Sequence, residues 1–469
     1  MSIILQTYNK TKTLNNMKTK QLIYACALTS SSFINVAAAW ETPQKIRTVA
    51  APMVAQSDLA FRRLVRKHGC DLTYTQMIHA TNFCKSEKFQ RNHLDVFPMN
   101  DDFQEEDRPV FVQIAGYDPK TMTEAALKIV ELADGNLDCI DINLGCPQSI
   151  ARKGRYGAFL FAEQGDTVCE IIRSLRRNLP EDIGVSAKVR ILDDEKLFFD
   201  KIRRMEDSGL NLMTVHGRTR RENKTAVGKC NWNMIKDAVE LLDIPVIANG
   251  GIENPSDVNR CLDATGAIGV MSSEALLENP AIFRDGERDD LELSGRELVD
   301  RQFKLAEEYL ALAQECPPLK GSLGENGGHA TVKGHLFKIL YRYVRSLYLF
   351  SAYFLRFYII HVSYFIYFQN TFHRHSYRFL DHHVDLRDKL GDSKCYHIDQ
   401  SSSIIRKLKD RFDIIDDDEL EFSIWSSWYR RHRSENSVEK VLSVSEKKTL
   451  MRERIKALKE ARSARALTF

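Results

Sequence analysis

The sequence predicts a (β/α)8 TIM barrel followed by a smaller all-helical domain. Three observations carry that prediction. Eight short apolar runs alternate with helical stripes over about 250 residues. Polar or glycine-bearing motifs close most of these runs, at the strand ends where such barrels build their sites. After Phe283 the strand-like runs stop and helical periodicity alone remains. A doubly wound sheet is the competing fold, but no G-x-G-x-x-G follows the first run.

Thr48–Ala51 reads as the first strand, ending at Pro52-Met53, and Asp58 can cap a helix running to Lys67. Leu72–Thr75 and Val110–Ile114 are the second and third strands, the latter ending Gln113-Ile114-Ala115-Gly116. A helix from Met122 to Ala133 shows the stripe Ala126, Ile129, Val130, Ala133. The fourth strand is the apolar stretch Leu137 to Ile142, broken by Gly145 and Pro147. Val185–Val189, Leu212–His216, Ile244–Ala248 and Ile268–Met271 complete the eight. They end at Lys188-Val189-Arg190, His216-Gly217-Arg218, Asn249-Gly250-Gly251 and Ser272-Ser273-Glu274. Beyond Phe283, Val299, Phe303, Ala306, Leu310 and Ala313 repeat at three and four residues, and Lys333, His335 and Lys338 dot a second helical segment. These patterns divide the chain into an extension over 1–40, a barrel over 41–290, a helical domain over 291–400 and a charged helical extension over 401–469.

Composition is that of an ordinary globular protein, with 43% hydrophobic and 28% charged residues. The net charge of +3 says little about partners, because a nucleic-acid enzyme needs a local basic face rather than a basic total. Ten scattered cysteines without a C-x-x-C argue against zinc, iron–sulfur and disulfide frameworks. Residues 1–40 lack acidic side chains, and Lys18 and Lys20 precede an apolar run from Leu22 to Ala39. That is the shape of a signal or transit sequence, or else a disordered tail or a misjudged translation start. Ser346–Phe368 is long and apolar enough for a membrane span, yet it stands between the segments Val332–Lys338 and His383–Arg387. An insertion over 341–382 is the preferred reading. Ser443–Leu467 opens with a possible capping box and carries eight Lys or Arg against three Glu between Glu446 and Arg465. It is a solvated helix or a sliding contact for phosphates.

The most informative stretch is Asp141-Ile142-Asn143-Leu144-Gly145-Cys146-Pro147-Gln148. A thiol on a tight turn just past a parallel strand can face a pocket, although a free cysteine is more often inert and buried. Together with Tyr156-Gly157-Ala158-Phe159-Leu160, this stretch resembles the tRNA-dihydrouridine synthases, flavin enzymes that reduce uridine in tRNA. The resemblance runs from about Trp40 to Phe283 and is nearest to the branch acting on D-loop positions 16 and 17.

The resemblance implies that Cys146 is the proton donor, since a thiol with pKa near ~8.5 is mostly protonated at neutral pH. It also implies that FMN is held by Pro52, Met53, Val54, Gln113, Lys188, His216, Asn249, Gly250, Gly251, Ser273 and Glu274. By the same resemblance Asn143 reads a uracil edge, or instead holds the turn as a structural residue. Arg218 would meet the substrate nucleotide or a phosphate, and Arg152-Lys153, Arg155, Arg220 and Arg221 could hold the RNA backbone. NADPH is the implied reductant, no metal is required, and a monomer without a stable protein partner is expected. The expected compartment is the cytoplasm, or an organelle if residues 1–40 are a genuine targeting sequence. A barrel dehydrogenase acting on a free pyrimidine, or a tRNA-binding protein that has lost catalysis, are the competing functions.

Overall fold

The computed structural model describes residues 40–96, 107–223, 227–321, 327–340, 384–391 and 397–414. The readings for residues 1–39, 341–382 and Ser443–Leu467 lie outside the described residues. Among the described residues, no helix is long and apolar enough to cross a membrane.

Nine short strands form one all-parallel sheet: β1 Thr48–Ala50, β2 Thr73–Tyr74, β3 Ile78–His79, β4 Val110–Ala115, β5 Cys139–Leu144, β6 Gly184–Arg190, β7 Leu212–His216, β8 Val246–Asn249 and β9 Gly269–Ser272. Each pairs with its neighbour in sequence, except that β2 and β3 both pair with β4 and act as one interrupted barrel strand. β1 pairs with β9, Val49 opposite Met271, and a parallel bridge from Val49 to Leu72 closes the ring. The eight-strand barrel expected from the sequence is therefore present. Its second strand is shorter than expected. The short strand β3 and the helices Ala80–Lys85 and Glu87–His93 that follow it are additional. A two-residue strand has too few positions to display a period, so nothing in the sequence announces it. The helix expected at Met122 begins earlier, at Pro119, where Asp118 caps the Thr121 N–H at 2.8 Å.

Side-chain alternation explains the layering. On β5, Ile140, Ile142 and Leu144 face outward into the main apolar core beneath the helices, and Cys139, Asp141 and Asn143 face inward. The lowest interior layer is apolar: Val49, Leu72, Phe111, Leu212, Ile247 and Met271 fill it. Trp40 packs against this layer and donates its indole N–H to the Asp138 carbonyl at 2.9 Å. Only glycine fits at 184, where an added Cβ would lie 2.5 Å from the Trp40 ring. Above the apolar floor the interior turns polar, with Gln113, Asp141, Ser186 and Thr214 all buried.

The helix Gly295–Glu315 starts in a full capping box between Ser294 and Glu297 and buries Val299, Phe303, Ala306, Leu310 and Ala313. It packs on the barrel helix Leu59–Lys67 and on the helix Ile398–Asp413. The helix Gly327–Ile339 carries His335, fully buried and stacked on Phe61 with centroids 4.4 Å apart. Its Nε2 lies 2.7 Å from Asp58 Oδ2, and Asp58 Oδ1 accepts the Phe61 N–H at 3.2 Å. Lys338 Nζ donates to Gln56 Oε1 at 2.5 Å and to the Gly334 carbonyl at 2.9 Å. Buried Arg62, paired with Asp107 at 2.7 Å and Asp95 at 3.0 Å, donates to the Ser57 carbonyl at 2.9 Å. The loop after β1 is thus held from both sides.

Asp58 serves at once as a helix cap and as the partner of a buried histidine. Asp58→Ala should therefore lower unfolding stability by roughly 2–4 kcal/mol, the sum of a lost cap and an orphaned buried donor. Asp58→Asn, which keeps the cap acceptor, should lose less than half of that. Equilibrium denaturation in urea checks both values, and equal losses in the two variants would contradict the dual role.

Candidate functional site

The site is built on the turn after β5. Asn143 Oδ1 accepts the N–H groups of Gly145 at 3.3 Å and Cys146 at 3.1 Å. Its Nδ2 donates to Gln113 Oε1 at 2.7 Å. Gln113 Nε2 donates to Asp141 Oδ2 at 2.8 Å, and Ser186 Oγ donates to Asp141 Oδ1 at 2.7 Å. From the far side, Arg190 Nε donates to the Gly145 carbonyl at 2.9 Å, and the Ala158 N–H donates to the Cys146 carbonyl at 3.1 Å. Gly157 sits at φ +68°, and a Cβ there would lie 2.7 Å from the Cys146 carbonyl oxygen. Glycine at 157 is therefore what lets the next loop close over the cysteine.

Cys146 remains partly exposed. Burial raises its thiol above the ordinary value, against the opposing pull of the Gln148 backbone, Arg190 and Lys188. It is a thiol at neutral pH, not a thiolate. Burial, with the Arg190 charge, pulls Lys188 down to about 7. Lys188 Nζ donates to Asn249 Oδ1 at 2.6 Å, and Asn249 Nδ2 donates to the Met271 carbonyl at 2.9 Å. The amide is thereby oriented with its oxygen towards the lysine. Burial holds His216 well below its ordinary value, with Arg190 and Lys188 adding to the effect, so its ring is neutral. Among the described residues, its buried Nε2 has no hydrogen-bond partner. Gly250 and Gly251 have φ of +101° and +82°, and a Cβ on Gly250 would lie 2.8 Å from His216 Cδ2.

The structure brings most of the residues expected from the sequence together. Gln113, Asn143 and Cys146 are joined by hydrogen bonds, Lys188 lies opposite Asn143 in register, and Asn249 lies opposite His216. Pro52, Met53 and Val54 stand at the same end of the barrel after β1, Val54 with 58% of its surface exposed. Ser273 and the exposed Glu274 follow β9, which pairs with β1. Two residues have duties that residue type alone left open. Asn143 holds the turn through its amide. Arg218 is 6% exposed and donates Nε to the Gly228 carbonyl at 2.9 Å, whereas Arg152, Lys153, Arg155 and Arg221 are exposed.

Sequence reasoning assigned nothing to Asp141, Ser186 or Arg190. Their signal was available: Arg190 lies two residues from Lys188 and Asp141 two from Asn143, so each shares the inward face. The Asp141 carboxyl is pushed up to about 6 by burial. Arg190 is brought down to about 10 by burial and by Arg218.

Cys146, Lys188 and His216, gathered at the strands' C-terminal ends, give this (β/α)8 barrel a candidate active site. The chain belongs to the dihydrouridine synthase family, whose model matches residues 48–349. It is similar to the NAD(P)(+) tRNA-dihydrouridine(16/17) synthase of Saccharomyces cerevisiae, 37% identical over 294 residues, covering 62% of this chain and 64% of that one. It is also similar to the corresponding 16/17 synthase-like protein of Rattus norvegicus, 39% identical with 62% and 59% covered. To the tRNA-dihydrouridine(20a/20b) synthase-like protein of Homo sapiens it is 38% identical, with 57% and 79% covered. The chain thus spans less than two thirds of the length of the first two relatives.

Because burial outweighs the nearby cations at Cys146, its alkylation should show no neutral plateau. Iodoacetamide labelling, followed by mass spectrometry of the Cys146 peptide, should keep accelerating with pH, by roughly tenfold per unit, across the neutral range. A rate that levels off near pH 7 would reveal an activated thiolate instead.

Proposed function

We propose that this chain reduces uridine to 5,6-dihydrouridine in tRNA, at D-loop positions 16 and 17, with FMN as cofactor and NADPH as electron source. The observation that carries this reading is a partly exposed thiol, seated by the Asn143 amide on the turn after β5, at the C-terminal end of a dihydrouridine synthase family barrel. The reaction takes place in the cytoplasm, where free thiols stay reduced.

The residues present fit a flavin. Among the described residues, His216 Nε2 is a buried nitrogen with no hydrogen-bond partner, which a flavin polar atom could meet. Gly250 and Gly251 carry the backbone through positive φ just past β8, a conformation in which backbone N–H groups could turn towards a phosphate. Lys188 would face the pyrimidine side of the ring, Pro52 to Val54 would cover part of one face, and Ser273 would meet the phosphate end. Bound FMN supplies the hydride that adds to uracil C6.

The protein's own task is the proton. The uracil C5–C6 bond is conjugated to the C4 carbonyl, so hydride addition at C6 builds negative charge towards C5 and O4. Cys146 Sγ–H delivers its proton to C5. The thiolate left behind lies in the field of Arg190 and Lys188, and protonation from water restores it. A raised thiol pKa suits this role, because the donor must hold its proton until the charge develops. The target uridine must leave its stack to reach a thiol inside a barrel mouth. The helices from residue 291 onward would grip the rest of the tRNA. Their hold on the loop after β1, through Lys338 and His335, supports a common orientation of tRNA and pocket.

Incubation of the purified protein with FMN, NADPH and an unmodified tRNA transcript should yield dihydrouridine at positions 16 and 17. Reduction of free uridine without tRNA would favour the free-pyrimidine dehydrogenase, and a protein that takes up no flavin would end the proposal. Cys146→Ala should retain FMN and tRNA binding while turnover falls by roughly 10²–10⁴-fold, the usual worth of a general acid.

Lys188 gives a pH test with a defined sign. Its folded pKa is depressed to about 7, so the cation is present below that pH and lost above it. FMN affinity, read by flavin fluorescence, should fall as pH rises from about 6 to about 8. Lys188→Met should bind weakly at both, with no slope. A wild-type affinity that is flat across this window would remove Lys188 from the flavin.

A further inference from the structure

Three strand ends place aromatic rings and guanidinium groups side by side on the rim beside Cys146. Tyr117, two residues past β4, is 40% exposed, and the Arg155 guanidinium lies 5.3 Å from its ring centroid. Phe159, in the short helix Ala158–Glu163 that follows β5, has Arg220 at 5.1 Å and Arg152 at 6.0 Å from its centroid. The rim is fastened to the thiol, because Phe159, Cys146 and the buried Tyr156 belong to one small apolar cluster. Tyr156 in turn meets the His79 ring edge-on at 5.6 Å.

Arg155 is the notable member. Its φ is +56°, a left-handed conformation in which a residue with a Cβ is strained. A glycine at 155 would remove the strain but also the side chain that the turn aims at Tyr117. Arg220 is paired with Glu163 at 3.2 Å. Among the described residues, neither Arg152 nor Arg155 has a carboxylate partner. A guanidinium lying on a ring keeps its outer face open and its edge N–H groups available. That combination suits a planar base next to a phosphate.

We propose that the Tyr117–Arg155 pair, with Phe159 and its two arginines beside it, is a stacking platform for the unpaired nucleotide adjoining the uridine that enters the pocket. The platform rests on the proposed action on tRNA. A uridine that leaves its stack strips a neighbour of its partner, and the platform supplies a replacement surface at the mouth.

The test measures the Kd of a labelled tRNA transcript by fluorescence anisotropy over a salt series, separately from turnover. Arg155→Lys keeps the charge and the backbone conformation but loses the planar group, and Tyr117→Leu removes the ring beneath it. Each should raise Kd by roughly 5- to 100-fold, the range for losing one base stack, with an unchanged salt slope. Tyr117→Phe should stay within about twofold of wild type. Flavin content equal to wild type establishes that the variants are folded. A wild-type Kd in both Arg155→Lys and Tyr117→Leu overturns the platform, even if turnover on tRNA is intact. Loss of affinity confined to low salt overturns it too, because that marks a charge contact alone. A wild type that binds tRNA through this platform yet reduces no uridine sinks the catalytic reading and leaves the platform standing.

Discussion

The buried carboxylate of Asp141 is the constraint on which the site depends. It lies inside the barrel with no exposed surface and is held by Gln113 and Ser186. Gln113 is the link onward, because its other amide atom fixes Asn143, and Asn143 fixes the backbone of the Cys146 turn. The position of the thiol is therefore set three hydrogen bonds below it. An apolar residue at 141 would leave a buried amide N–H of Gln113 unsatisfied, at a cost of about 1–3 kcal/mol. It would also free the amide to rotate, and the turn would lose its template. The ionised acid carries a cost of its own, visible in a carboxyl pushed up to about 6. Two hydrogen bonds and the Lys188 charge above offset that cost in part.

Two opposing effects compete over the pocket, and burial prevails for each group. Lys188, Arg190 and Arg218 crowd around His216 at one end of the barrel, so Arg190 disfavours charge on Lys188 and on His216, and Arg218 disfavours it on Arg190. Desolvation is nevertheless the largest influence on Lys188, on His216 and on Cys146. It favours the uncharged form of every one of them. The same low-polarity surroundings thus yield a lysine that titrates near neutrality, a neutral imidazole and a protonated thiol. Had the cations prevailed, Cys146 would be a thiolate with no proton to give.

The first barrel loop shows how the helical region reaches the site. Asp58 caps the helix behind the loop and meets His335, and Gln56 within the loop meets Lys338. Arg62 grips the loop from the barrel side through the Ser57 carbonyl. These contacts are buried, where hydrogen bonds are strong and costly to leave unmade. Pro52 to Val54 therefore owe their placement to residues nearly 300 positions away in sequence.

Local chemistry determined most of the barrel. Strand and helix periods are set by neighbours along the chain, so the eight barrel strands, the Asp58 cap and the buried face from Val299 to Ala313 were legible without coordinates. So was the end of the barrel at which the candidate residues gather, because strand ends in a parallel barrel all point one way. The short strand β3 was not legible, since two residues cannot display a period. Residue type alone also left Asn143 undecided between reading a base and holding a turn. Only the folded structure brings the Gln113 amide within 2.7 Å of it and turns its oxygen onto the Cys146 N–H. Protonation states were equally invisible, because a lysine at about 7 needs both burial and Arg190 beside it. Sequence determines which groups are present and on which strand. How far each is stripped of water, and which charges it then faces, depends on contacts between strands distant in the chain.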